Sequence, residues 1–280
     1  MRVSRNLRFV LRLALIVLLA ALAGCSLFNR GKKKGDAADT LPVEQVYQRG
    51  TELLEGGNYD GAERVYQRLI SRFPFGPYTE QAQLNLGYVQ YKADKPEEAY
   101  SSVNRFIKTY PTNKHIDYAY YLRGLINFNR SAGFLERHIG QDMTRRDQAF
   151  QRQSFDDFSS LISRYPQSRY AADSRQRMIY LRNEMAQADL HIAFFYLKRN
   201  AYVAAANRAK SIIETFPQTP QAGDALAIMV ESYRKLGQDK LAEDAESVLK
   251  LNYPDHPFLR GDWPNYRSNW WKMIPLMNRS

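Results

Sequence analysis

The side chains able to do chemistry are few and scattered. His115, His138, His191 and His256 lie far apart, and none has a second His or Cys at metal-ligand spacing. Paired acids such as Glu97-Glu98 and Asp156-Asp157 point in different directions on a helix, so they cap or solvate it rather than act as general acid and base. The chain has no Gly-rich phosphate loop and no Ser or Cys in a nucleophile motif. The single cysteine differs: Cys25 follows Leu22 and the small residues Ala23 and Gly24, which let a peptidase reach the bond before a thiol able to take a diacylglyceryl group. Catalysis has no candidate here, and lipidation has one.

The residues before Cys25 are those that would bring it to a membrane. Residues 2 to 12 hold four arginines and no acid, and residues 13 to 23 are an apolar Leu/Ala/Ile/Val run too short to span a bilayer comfortably, the build of a secretory signal. Leu22-Ala-Gly-Cys25 resembles the bacterial lipobox; an ordinary signal with an incidental cysteine is the other reading. No cofactor is expected beyond covalent diacylglyceryl and N-acyl lipid on Cys25, which at about 0.8 kcal/mol per buried methylene would anchor the chain stably. Ser26, rather than Asp, resembles lipoproteins sorted to the outer membrane and facing the periplasm. Removing Arg2, Arg5, Arg8 and Arg12 with the signal lowers the formal charge from +11 to roughly +7, part of it in Arg30 and Lys32 to Lys34 beside the anchor, so nucleic acid is not an expected partner.

Beyond a polar tether, five apolar-periodic stretches close on an aromatic residue and a proline: Phe73-Pro74, Tyr110-Pro111, Tyr165-Pro166, Phe216-Pro217 and Tyr253-Pro254. The tetratricopeptide pattern wants a small residue where two helices cross, an Ala opposite it and a bulky apolar residue later. Unit one offers Gly50, Ala62, Tyr66 and Leu69; unit two Gly87, Ala99 and Phe106; unit four Ala193, Ala205 and Ile212. Unit five has Ala242 and Leu249, with Val230 at the small site. Glu55-Gly-Gly-Asn-Tyr, Ala93-Asp-Lys-Pro-Glu, Lys198-Arg-Asn-Ala-Tyr and Lys235-Leu-Gly-Gln-Asp supply the turns within units.

The predicted fold is all-α: a right-handed tetratricopeptide-repeat superhelix of about five helix pairs, with an insertion in the third and a C-terminal cap. In the third unit Gly124 fits the small site but the second helix, Phe155 to Tyr165, arrives late, so Ser131 to Gln148 reads as an insertion, on a binding face or simply mobile. Tyr170 to Arg199 lacks Gly and Pro and predicts one extended helix or two nearly continuous ones. The organisation expected is a signal at 1–24, a lipidated tether at 25–42, units one to three at 43–166, units four and five at 167–256, and an aromatic tail at 257–280. The tail holds all three tryptophans and reads as a cap over the last unit or as a partner-docking segment.

Projected onto the concave face of such a fold, first-helix positions give Tyr47 and Leu54, then Tyr88 and Tyr91, then Tyr118, Tyr121, Leu125 and Phe128. Unit four adds Leu190, Phe194 and Leu197, and unit five Asp224, Glu231 and Arg234. An aromatic groove of this kind suits an extended peptide with apolar or aromatic side chains, although such tyrosines can equally fill the core between units.

With the lipobox, the short tether, five units and an insertion in the third, the chain resembles the BamD (ComL) family of lipoproteins of the outer-membrane β-barrel assembly machinery. The local matches are Phe73-Pro-Phe-Gly-Pro-Tyr78, Asp117-Tyr-Ala-Tyr-Tyr-Leu-Arg-Gly124, Phe155-Asp-Asp-Phe158 and Ala204-Ala-Ala-Asn-Arg208, over residues 22 to about 254. The resemblance implies a non-enzymatic scaffold whose C-terminal units hold the POTRA-containing, barrel-forming subunit, alongside other assembly lipoproteins. It implies that the N-terminal units recognise the C-terminal signal of unfolded outer-membrane proteins. It carries substrate binding onto Phe73, Phe75, Gly76 and Tyr78, and the partner contact onto Arg208. An adaptor lipoprotein serving a peptidoglycan or division complex is the alternative within the same architecture.

Overall fold

A computed structural model describes residues 41–137 and 148–263. Cys25, the signal, most of the tether and the tail beyond Trp263 lie outside these residues, as does the middle of the expected insertion. Ten helices are described: α1 (Val43–Glu55), α2 (Tyr59–Arg72), α3 (Pro77–Lys92), α4 (Pro96–Thr109), α5 (Ile116–Arg137), α6 (Ala149–Arg164), α7 (Ala171–Lys198), α8 (Tyr202–Thr215), α9 (Ala222–Lys235) and α10 (Asp239–Asn252). Each packs chiefly on its neighbours in sequence, which is the connectivity of a solenoid of helix pairs.

The aromatic-proline marks have a single structural meaning. Phe73, Tyr110, Tyr165, Phe216 and Tyr253 are each the C-cap of a unit's second helix, and their N–H groups donate to the carbonyls of Leu69, Phe106, Leu161, Ile212 and Leu249. All five acceptors are fully buried. The proline that follows cannot continue the helix, so the chain turns toward the next unit. Removing one of these anchors, as in Phe106→Ala, costs about 3–5 kcal/mol in a core of this kind.

Helix crossing explains the small residues. A Cβ on Gly50 would lie 2.7 Å from the Tyr66 ring, on Gly87 2.5 Å from Val103 Cγ2, and on Gly124 2.6 Å from the Phe158 ring. Within units one, two, four and five, the turn between paired helices contains one residue in the left-handed region: Gly57, Asp94, Asn200 or Gly237. Asp and Asn tolerate that region better than other side chains, which lets these turns keep one geometry with different residues.

Polar ties lock successive units. Lys95, at the N-cap of α4, reaches back to Asp60 (2.6 Å) and Glu63 (2.8 Å) on α2, and Gln90 donates to Glu63 (2.9 Å). Burial alone would push the Glu63 carboxyl up, but the Lys95 ammonium and Gln90 amide more than offset it, leaving it below its ordinary value. Between α5 and α6, Arg123 lies 2.8 Å from the buried Asp157, which also accepts from Asn127 (2.7 Å); Arg130 bridges Asn127 to Glu97 of α4.

Two sequence expectations change, and one choice left open is decided. Ser131 to Arg137 is not loop but the last two turns of α5, and α6 begins at Ala149 rather than Phe155. The first seven residues of the expected insertion thus belong to α5, and residues 138–147 lie outside the described residues. Tyr170 to Arg199 is one helix, α7, of 28 residues. The second change concerns Leu190, Phe194 and Leu197, which are buried core rather than groove lining. They form an i, i+4, i+7 stripe, and the second half of α7 turns that stripe onto α8 and α9.

The described part of the tail packs on the last units, as the first of its two readings expects. Pro257–Arg260 forms a single 3-10 turn, and Phe258 and Trp263 pack edge to face with ring centroids 5.3 Å apart. Trp263 also meets Phe194 (5.5 Å) and donates to Asp224 (2.6 Å), while His256 Nε2 lies 3.4 Å from the same carboxylate. Asp224, expected to give the groove a charged end, is thus engaged by the cap.

Candidate ring-lined peptide groove

The turn from Phe73 to Tyr78 is rigid by construction. Thr79 Oγ1 donates to the Phe73 carbonyl at 2.5 Å, Gly76 sits at φ 113° where only glycine is at ease, and Pro77 opens α3. Phe75 is thereby held out at 89 % exposure, whereas Phe73 packs into the first unit's core under the Arg72 guanidinium, 4.6 Å from its ring centroid. Arg72 also donates to the Leu41 carbonyl (2.9 Å), pinning the first described residue of the chain beside this turn.

Tyr78 turns inward, its ring 5.4 Å from Tyr47. Together with Tyr110, Gln81 and Lys114 these rings line a cleft of about 550 Å³ between the Phe73–Tyr78 turn and the turn after α4. Tyr47 accepts from Asn85 (3.1 Å) and Tyr110 from Gln83 (3.2 Å), so the hydroxyl positions are fixed from α3.

The remaining predicted tyrosines form a second cluster one unit further on. Tyr88, Tyr91, Tyr118 and Tyr121 pack half-buried against the core of units two and three. Tyr121 stacks on Tyr170 at 4.6 Å and 15°, and Tyr118 tilts against the same ring at 5.4 Å. Tyr121 donates to Asp173 (2.7 Å), which also accepts from Arg177 Nε (2.6 Å); Tyr91 accepts from Asn129 (2.7 Å). Burial pushes the Tyr118 and Tyr121 hydroxyls up, and the neighbouring tyrosines and Asp173 push further, so both stay protonated donors at neutral pH.

The structure therefore brings the predicted residues together as two adjoining sets, Tyr47 and Tyr78 at the cleft and the four other tyrosines behind it, with Phe75 outside both. Tyr170, Asp173 and Arg177 were missed. Tyr170 follows Tyr165 by five residues as Tyr78 follows Phe73, and that repeated spacing is the signal that could have found it. Arg208 is remote from all of these: on α8 it reaches the buried Asp189 at 3.4 Å, with part of its side chain left in solvent. Among the described residues no group of three or more His, Cys, Asp or Glu side chains could hold a metal ion.

Stacked helix pairs carrying a ring-lined surface with fixed hydroxyls define a tetratricopeptide scaffold that binds rather than transforms. The model of the outer membrane lipoprotein family YfiO matches residues 39–249, and the chain belongs to that family. The outer membrane protein assembly factor BamD of Xylella fastidiosa strain 9a5c is 45 % identical over 94 % of this chain and 88 % of its own length. The factor of the same name from Neisseria meningitidis serogroup B strain MC58 is 36 % identical over 90 % and 94 %. Among solved structures, a thermophilic tetratricopeptide protein of Thermus thermophilus covers 79 % of this chain and 96 % of its own, at 14 % identity and a TM-score of 0.36.

Proposed function

We propose that units one to three receive the C-terminal signal of unfolded outer-membrane proteins while units four and five hold the POTRA-containing, barrel-forming subunit. The chain is, by family, a non-enzymatic outer-membrane lipoprotein, lipid-anchored and facing the periplasm, that serves as a scaffold in β-barrel assembly. The observation that carries the finer reading is the run of rings from Tyr47 and Tyr78 to Tyr170, with hydroxyls oriented by Asn85, Gln83, Asn129 and Asp173. Pre-oriented rings contribute contact area without the cost of ordering them, and their hydroxyls can meet the backbone of an extended strand. Arg208, held on its inner side by Asp189, supports a partner contact through the part of its side chain left in solvent.

The test is binding of a fluorescent C-terminal barrel peptide to the detergent-solubilised lipoprotein. Tyr88→Ala with Tyr91→Ala should weaken it by at least about tenfold, as loss of two clustered aromatic contacts does; unchanged affinity discards the groove. Pull-down of the same protein should recover a barrel protein with POTRA domains. Recovery of peptidoglycan or division proteins instead would overturn the partner assignment.

A further inference from the structure

The five second helices can be superimposed in sequence from their aromatic C-caps, and one surface row then stands out. Two and five residues before the cap, unit one has Ser71 and Arg68, unit two Lys108 and Arg105, unit three Ser163 and Ser160, and unit four Glu214 and Ser211. Unit five alone has Leu251 and Val248, continued two turns earlier by Leu241. They are 81 %, 44 % and 46 % exposed, beside the buried face of α10 formed by Ala242, Ala245 and Leu249. The core does not require apolar residues in this row, since four other units do without them.

We propose that this row is the docking site of the chain's own C-terminal segment, residues 264–280. The segment contains Trp270, Trp271, Met273, Ile274, Leu276 and Met277, and its charges are Arg267, Lys272 and Arg279 with no acid. The helix it would meet is acidic, with Asp239, Glu243, Asp244 and Glu246 against Lys240 and Lys250. Apolar content and charge are thus complementary. Trp263 is fixed on Asp224 and Phe194, and 17 residues extending from it can span up to about 55 Å, several times the roughly 10 Å width of a helix that must be rounded. The segment would cover the apolar row that unit five, among the described second helices, leaves exposed.

The test is amide hydrogen exchange on the full lipoprotein in detergent, read in the segment from Trp270 to Met277. These amides should exchange at least about tenfold more slowly than an unstructured chain, and Leu241→Asp with Leu251→Asp, at surface positions, should release them while helicity is unchanged. Exchange at free-chain rates in the unmodified protein overturns the proposal, as does protection that survives the double substitution. A photo-crosslinker at Val248 should give adducts to residues 264–280 of the same chain; adducts only to a second copy or to another protein count against it.

Discussion

At the scale of single residues, two positions carry more than their neighbours. Asp157 is almost wholly buried, and burial pushes its carboxyl up against the pull of the Arg123 guanidinium and the hydrogen bonds of Asn127 and Gln153. Arg123→Met should destabilise the protein by about 3–5 kcal/mol, the cost of leaving a buried charge alone, read as a lower urea midpoint at pH 7. A carboxyl whose folded value lies above its unfolded one gains stability as protons bind, so the deficit should narrow as pH falls toward 4; a pH-independent deficit would mean that packing, not charge, was lost. Gly87→Ala tests the other kind of constraint. Its Cβ would meet Val103 at 2.5 Å, and the expected outcome is a loss of about 1–3 kcal/mol from overpacking, visible as a drop in Tm. Gly87 was legible because a helix-crossing rule demanded it, whereas Arg123 and Asp157 were not, because a buried ion pair between two helices leaves no periodic trace in sequence.

At the scale of elements, the joints between units are polar and the interiors apolar, and they respond to different conditions. The Lys95 joint depends on ionised Asp60 and Glu63, both held below their ordinary values. Stability from a lowered carboxyl is fully present above its unfolded value, here 4.5 for Glu63, and is lost as pH falls through the folded value. Thermal melts from pH 7 to 3 should therefore show the wild type converging on Lys95→Met at the acid end; parallel curves would remove Lys95 from this role. The pairs themselves were readable from aromatic-proline marks and small residues, because each mark is also a C-cap. The direction in which α7 turns was not readable. Its Leu190, Phe194 and Leu197 stripe matches both a groove position and a core position, and only contact with α8, α9 and Trp263 decides between them.

At the scale of the whole molecule, α7 is the member that joins the two halves. Its 28 residues make a rod of about 42 Å whose first turns hold Tyr121 through Asp173 and whose last turns form the core of unit four. A proline at the exposed Tyr180 would break one backbone bond and kink the rod. Tyr180→Pro should leave each half helical by circular dichroism while lowering recovery of the POTRA partner and peptide affinity together; retention of both would show that the halves need no fixed geometry. The tail was legible from its three tryptophans, whereas the row on α10 was not, since an exposed apolar row looks like part of an amphipathic helix until its buried face is known.

The pin between Arg72 and Leu41 sets a leash. The stretch from Cys25 to Leu41, even drawn out straight, cannot exceed about 55 Å. Because the far end of that leash is fastened beside Phe73, the lipid fixes a ceiling on how far from the bilayer the Phe73–Tyr78 turn can stand.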